Sequence, residues 1–288
     1  MYPREFDYQA PATLDEAVAA LAADPGAKVL AGGMSLLPMM KLRLFSPEML
    51  IDIGRIPGLD SISDRGDHLS IGALVRHQEV ATSDLVRTHA AALGLAAAWT
   101  GDRQVRNRGT CCGAMAHADL AADQTAAALA LGATMVAVSE SGTREIPAAE
   151  FFVDTLTSAL EPGEILTELR VPKAGPDSGS AYDKLGRRGG HTDYAVAGVA
   201  ASVTRGDGSI SAASVAITGV SNKPHLAERT MEELVGSDGS EDAIRSAARH
   251  ATDGMAVLED LFGSQEYKAH LAEIYTIRAV QAALAAAA

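Results

Sequence analysis

Positive charge is in deficit: 24 Lys and Arg stand against 37 Asp and Glu in 288 residues, a formal net charge of −13. A nucleic-acid-binding surface needs a cationic stripe that releases counterions from phosphate, so that class of partner is not expected. Cysteine is nearly absent. Cys111 and Cys112 are adjacent, so they neither staple distant segments nor complete a zinc or iron–sulfur site from this chain alone. Aromatic residues make up only 4% of the chain, which leaves the core to small and branched aliphatics. Long apolar runs are missing too. Ala126 to Val138 is 13 residues interrupted by Gly132, short of the roughly 18 that a membrane span needs. The start, Met1 to Phe6, has no apolar segment of a secretory signal, and a cytoplasmic protein is the expectation. No H-E-x-x-H, G-x-S-x-G or Cys/His cluster occurs, so neither a metal site nor a serine-elbow nucleophile is expected.

What is present reads as globular. With 47% hydrophobic and 21% charged residues, the composition excludes disorder as the dominant state, and the length suits one large domain or two smaller ones. Thr13-Leu14-Asp15-Glu16 has the spacing of a capping box. Behind it Leu14, Ala17, Val18 and Leu21 share one helical face. Ala27–Ala31 reads as a buried strand, Gly32-Gly33 as a break, Leu36–Leu44 as a helix capped by Ser35, and Met49–Ile53 as a strand. Residues 1–55 therefore predict β-α-β-α-β. Further on, Leu69–Val75 predicts a strand, Ala90–Trp99 a helix, Arg103–Gly113 a polar loop, Asp119–Leu131 an apolar helix and Glu164–Val171 a strand. Lys173 to Gly179 clusters Gly, Pro and Ser like a linker. Beyond it, runs at Val196–Thr204 and Ser209–Thr218 flank a hairpin signal, Arg205-Gly206-Asp207-Gly208. Helical patterns follow near 224–235, 241–251 and 265–286. Strands followed by helices suggest a separate α+β domain.

Four segments carry candidate chemistry. Gly32-Gly33 at a strand-to-helix junction allows a tight turn and close approach of a ligand to backbone amides. The same pair also serves in purely structural turns. Arg103, Arg106 and Arg108, in the stretch that leads to His117-Ala118-Asp119, offer charge to a diphosphate or a partner, or simply face solvent. Asp123, early in an alanine-rich helix, suits a ribose hydroxyl or the helix dipole. Tyr182-Asp183-Lys184, with Arg187 and Arg188, reads as an exposed basic strand edge. Cys111 and Cys112 read as small buried residues, and His117 as a structural histidine.

Ala31-Gly32-Gly33-Met34-Ser35-Leu36-Leu37-Pro38, followed by Lys41-Leu42-Arg43, resembles the first flavin loop of the medium, FAD-binding subunit of molybdenum hydroxylases. That family includes aerobic carbon monoxide dehydrogenase, whose medium subunit is the nearest type, and xanthine dehydrogenase. Gln104 to Thr110, then Gly113, Ala116-His117-Ala118-Asp119 and Asp123, resembles the second flavin loop. Pro162 to Leu166, Tyr182-x-Lys184 and Asp193 also match, so the resemblance runs through essentially the whole chain.

The resemblance implies an α+β protein. Its residues 1–175 would form a two-subdomain FAD-binding fold of the PCMH or vanillyl-alcohol-oxidase type, divided at about 55/56. Residues 180–288 would form a small α+β domain of the carbon monoxide dehydrogenase flavoprotein type. It further implies that Ala31, Gly32, Gly33, Met34 and Ser35 wrap the FAD pyrophosphate, flanked by Leu30 and Leu36. Thr110, Gly113 and Ala114 would approach the diphosphate and flavin. Asp123 would hold a ribose hydroxyl, with Leu166 and Lys184 near the isoalloxazine. The implied partners are a small [2Fe–2S] subunit, a large molybdenum-cofactor subunit and an external acceptor such as a quinone, oxygen or NAD. The implied assembly is a dimer of heterotrimers. No catalytic acid or base is implied.

Thr110-Cys111-Cys112-Gly113-Ala114 departs from the family's Thr-Ile-Gly-Gly-Asn/Ser. Cys112 in a glycine's place implies either a strained backbone or a displaced loop, and Ala114 lacks a hydrogen-bonding side chain. Looser FAD binding is the expectation. Two other readings stand beside electron transfer: a flavin-depleted structural subunit, and a free-standing flavin dehydrogenase.

Overall fold

The computed structural model describes residues 2–188 and 193–287; Ala288, at the end of the expected C-terminal domain, lies outside them. The first elements are β1 (Asp7–Gln9), α1 (Leu14–Ala23), β2 (Ala27–Leu30), α2 (Leu36–Lys41) and β3 (Met49–Asp52). Their β-α-β-α-β order is the expected one. The strands pair in parallel as β1-β3-β2, a geometry that needs crossover segments between strands. Thr13 caps α1 by accepting from the Glu16 N–H at 3.2 Å. The Glu16 carboxylate reaches back one residue beyond the cap, to the Ala12 N–H at 2.9 Å. Ala17 and Val18 on its apolar face are buried, with Leu14 and Leu21 packed beside them. α2 is shorter than expected: it ends at Lys41, and Arg43 turns to φ +59°. Ser35 precedes it without a capping hydrogen bond.

The next part begins with β4 (Ile62–Asp64) and β5 (His68–Gly72). Six helices follow: α3 (His77–Thr82), α4 (Asp84–His89), α5 (Ala91–Trp99), α6 (Arg103–Arg106), α7 (Cys111–His117) and α8 (Asp123–Ala130). Then come β6 (Thr134–Ser139), β7 (Gly142–Pro147), α9 (Ala148–Phe151), β8 (Phe152–Asp154), β9 (Thr157–Ser158) and β10 (Ile165–Pro172). β4-β5-β10-β6-β7 form an antiparallel sheet. The expected polar loop over Arg103–Gly113 is instead two helix starts. Asp102 accepts from the Val105 N–H at 2.8 Å and Thr110 from the Gly113 N–H at 3.2 Å, which is N-capping at both sites. The expected helix from Asp119 starts at Asp123, because Ala118 leaves α7 in a left-handed conformation, φ +50°.

The C-terminal part comprises β11 (Ser178–Gly186), β12 (Ala195–Gly206), β13 (Ser209–Thr218), β14 (His225–Leu226), α10 (Glu228–Leu234), α11 (Glu241–Ala248) and α12 (Gln265–Ala286). Its strands form one antiparallel sheet in chain order. Asp207 and Gly208, at φ +52° and +80°, make the two-residue hairpin turn, as the twist of the flanking strands favours. Alternation along β11 sends its side chains to two sides. On one side α12 comes so close that a Cβ at Gly179 would lie 2.2 Å from the Ala283 carbonyl oxygen. On the other, Ser180, Tyr182 and Lys184 face α5 and α8. Small residues let α8 lie close to this sheet: α8 is alanine-rich and wholly buried, while Gly198, Ala200 and Ala216 stand on the strands. A Cβ at Gly198 would come within 2.3 Å of the Tyr182 hydroxyl. Tyr182, Ala200 and Ala216 thereby join the core of the N-terminal part, while Val199, Ala201 and Ile217 belong to the C-terminal core.

Candidate functional site

The end of β2 runs into Gly32-Gly33. Gly33 has φ +73°, a conformation that side chains with a Cβ disfavour. A Cβ at Gly32 would lie 2.2 Å from the Arg108 carbonyl oxygen and 2.7 Å from the Gly109 Cα. The first turn is thus in backbone contact with the segment that feeds α7. Leu30 to Leu36, including Ala31 and Met34, are all half-buried. The second segment is pinned from behind by the stretch before α3. Arg76 and Thr110 form an antiparallel bridge, the Cys111 N–H donates to Val75 O at 3.0 Å, and the His77 N–H donates to Gly109 O at 3.0 Å. Arg76 also donates to the Asn107 carbonyl.

Cys112 corrects the expectation of strain. It lies in the first turn of α7, and it is not among the residues with positive φ. Its Cβ therefore costs nothing, and its thiol points into the core, 3.6 Å from Ile71 O. Burial pushes both thiols up, Cys111 to about 12, so neither is a nucleophile. The glycine that matters here is Gly113: a Cβ on it would meet the Thr110 hydroxyl at 2.6 Å and break the cap. Gly113 and Ala114 are half-buried beside it.

Asp123 and Lys184 meet, though 61 residues apart. The Lys184 Nζ donates to Asp123 Oδ2 at 2.7 Å, to Asp193 O at 2.6 Å and to Trp99 O at 3.1 Å. Those three bonds use every donor of an ammonium. The Tyr182 hydroxyl donates to Asp123 Oδ1 at 2.6 Å, and its ring packs edge-on to Trp99 with centroids 6.3 Å apart. Burial raises Asp123 to about 6, opposed by the charge and hydrogen bond of Lys184 and the bond from Tyr182. The reading of this segment as an exposed basic strand edge holds for Arg188 but not for Tyr182 and Lys184, which form a buried polar joint with Asp123 of α8. Leu166 is buried in β10 opposite Ala137, next to a bulge.

Of the arginines, Arg106 is structural and donates to Gly101 O at 2.6 Å, whereas Arg103 and Arg108 are exposed. His117 is half-buried, and its desolvation lowers its pKa. Two residues escaped the sequence reading. Tyr194 is 44% exposed, interacts with the Ser35 side chain and lies under the Arg187 guanidinium, 5.2 Å from its ring centroid. Only its place next to Asp193 hinted at it. His77 is buried against Gln124, with 2.6 Å between His77 Nδ1 and Gln124 Nε2. Burial lowers it to about 4. No local pattern marks that pair.

Two glycine-bearing segments thus lie in backbone contact, with a polar joint beside them. Residues 4–174 match the FAD binding domain in molybdopterin dehydrogenase, and residues 180–283 match the CO dehydrogenase flavoprotein C-terminal domain. The chain belongs to this family. It is 39% identical to the carbon monoxide dehydrogenase medium chain of Hydrogenophaga pseudoflava, over 99% of both chains. It is 37% identical to the 6-hydroxypseudooxynicotine dehydrogenase complex subunit alpha of Paenarthrobacter nicotinovorans, over 99% of this chain and 96% of that one. A structure of the Hydrogenophaga pseudoflava carbon monoxide dehydrogenase superposes with a TM-score of 0.96 at 40% identity, covering 100% of both chains. Quinoline 2-oxidoreductase from Pseudomonas putida 86 gives 0.93 at 35% identity, over 100% of this chain and 99% of that one. The chain is an FAD-binding medium subunit of the molybdenum hydroxylase type, a flavoprotein subunit of an oxidoreductase. Among the described residues no helix is long and apolar enough to cross a membrane.

Breaking a buried ion pair leaves one charge unpaired, at about 3–5 kcal/mol, whereas removing both partners costs far less. Asp123→Leu and Lys184→Met should each lose that much stability in urea unfolding, and the double variant much less than their sum. Additive losses would show that the pair does not couple the two elements. His77 adds a pH dependence. Its folded value lies below the unfolded 6.5, so stability is full above pH 6.5 and falls by some 3 kcal/mol, relative to that plateau, as pH drops from there through about 4. That part of the acid slope should be missing in His77→Asn.

Proposed function

We propose that the chain holds FAD along the seam between Leu30–Leu36 and Thr110–Ala114, and relays electrons from a [2Fe–2S] subunit to an external acceptor. The observation that carries this reading is the contact of the two glycine turns. Gly32 and Gly33 have no Cβ where one would strike Arg108–Gly109 or force a strained φ, which leaves backbone amides open to a diphosphate. These residues fit the group. Ala31 to Ser35 would wrap the pyrophosphate, flanked by Leu30 and Leu36. Thr110 and Gly113 would hold the second segment at its capped helix start, with Ala114 behind them.

Asp123 and Lys184 support the ring end by holding β11 and Asp193 in place. Lys184 has no donor left to spend on a ligand, and both Asp123 oxygens already accept one bond each. Leu166 contributes an apolar wall from β10. Bound FAD supplies the redox chemistry, taking electrons singly from a cluster and releasing them in pairs. The protein's part is position and electrostatics, and no acid or base is assigned.

The partners on this reading are a small [2Fe–2S] subunit and a large molybdenum-cofactor subunit in the cytoplasm, with a quinone, oxygen or NAD as acceptor. Relatives named as a medium chain and as a complex subunit support that assignment. The flavin-depleted reading loses the strain at Cys112 that favoured it. A free-standing dehydrogenase would need a base beside the flavin, and no residue is assigned that role.

Titration of the purified chain with FAD, followed by flavin absorbance, should saturate near one equivalent. Gly33→Val should remain folded and lose binding, since valine at φ +73°, with its Cβ 3.0–3.1 Å from Leu37 and Leu30, carries about 1–3 kcal/mol of strain in the turn. Undiminished flavin in the folded variant would place the phosphate site elsewhere. Coexpression with neighbouring molybdenum and iron–sulfur genes should yield a heteromer, a dimer of heterotrimers. A chain that elutes alone while those partners assemble without it would refute the assignment of partners.

A further inference from the structure

His77 opens α3 and is 5% exposed, yet neither the expected flavin contacts nor the polar joint makes use of it. Three of its faces are occupied. Its backbone N–H donates to Gly109 O at 3.0 Å. Its Nδ1 shares a hydrogen bond of 2.6 Å with the Gln124 side-chain amide, in the first turn of α8 beside Asp123. The far edge of the ring, Cδ2 and Nε2, lies where a Cβ on Gly109 would be, at 2.8 Å from each atom. The Gly109 Cα is in turn 2.7 Å from the Cβ position of Gly32. Gly109 is therefore held between the first glycine turn and an imidazole ring, and a side chain fits on neither flank. Burial pushes His77 down to about 4, with the charge of Arg106 acting in the same sense, so the ring is neutral near pH 7.

We infer that His77 is a positioning residue for the flavin site: its ring sets Gly109 of the second segment against Gly32 of the first, and its bond to Gln124 ties that spacing to the start of α8. The inference rests on the FAD reading above. A binding seam made of backbone needs its two walls held to a fraction of an ångström, and the side chain that holds them need not touch the ligand. Supporting groups of this kind contribute about ten- to a hundredfold in affinity at metal sites.

Asparagine at this position retains an amide for Gln124 and removes the ring edge from Gly109. The test is FAD titration of the full chain as wild type, His77→Asn, Gly109→Ala and the double variant, with a thermal midpoint for each. His77→Asn should keep a midpoint close to that of the wild type and bind FAD about tenfold more weakly. Gly109→Ala alone should also bind weakly, because its Cβ collides with the ring. In the double variant the new methyl fills the vacated space, so binding should be tighter than in either single variant. A general loss of stability would not give that reversal.

Undiminished binding by His77→Asn, or a double variant whose losses simply multiply, would overturn the proposal while leaving the FAD reading intact. A wild-type chain that takes up no FAD would overturn both. If His77→Asn does not fold, ring ¹⁵N resonances of the wild type decide. A His77 shift on adding FAD supports the proposal, and an unmoved resonance with FAD bound overturns it.

Discussion

The Lys184 ammonium, enclosed by Asp123, Trp99 and Asp193 and shielded from water, is the constraint around which the two parts of the molecule are arranged. Burying an ammonium and a carboxylate is costly, and the cost is offset only where geometry is good and the remaining donors and acceptors are satisfied. Here they are: the three ammonium donors end on protein oxygens, and the second carboxylate oxygen accepts from Tyr182. Such a pair tolerates little displacement. A shift of α8 along the sheet by one residue would bring Ala122 or Gln124 rather than Asp123 toward Lys184, leaving the charge unmatched. The apolar surroundings permit close docking but do not select it, since Gly198, Ala200 and Ala216 would accept the alanine-rich helix in several registers.

That joint reaches both walls of the candidate site. Asp123 starts the helix that follows α7, so its position is bound to the segment of Thr110 and Gly113. Lys184 also grips the Asp193 carbonyl, and the next residue, Tyr194, interacts electrostatically with the Ser35 side chain of the first turn. Ser180, from the same face of β11, accepts from the Ala92 N–H at 3.0 Å, which fixes α5 to the sheet as well. The C-terminal part is thus joined to both segments of the candidate site.

The features legible in the sequence were local ones. Thr13 and Glu16 cap α1, Asp207-Gly208 turns the hairpin, and Gly32-Gly33 breaks the chain where a backbone must approach another, because each depends on neighbours a few residues away. Asp102 and Thr110 were local signals of the same kind, three residues before the amides they cap, masked by the polar and glycine-containing stretch around them. The residues alone leave Tyr182 and Lys184 open to a solvated reading, because alternation along a strand marks two faces without saying what covers the second. Only the docking of α5 and α8, both more than fifty residues earlier in the chain, buries them. Cys112 was judged by the glycine it replaces, yet a helical backbone makes no demand for glycine there. His77 carried no pattern at all, since Gln124 and Gly109 reach it only through the fold.

Amide hydrogen exchange of the wild-type chain with and without FAD tests the union of flavin seam and polar joint most directly. Slower exchange is expected at 30–36 and 109–114 on adding FAD, and also along Ser178–Gly186, which is joined to the seam through Asp123, Lys184 and Asp193. Protection absent from the two glycine segments, or present there with Ser178–Gly186 unchanged, would contradict that union.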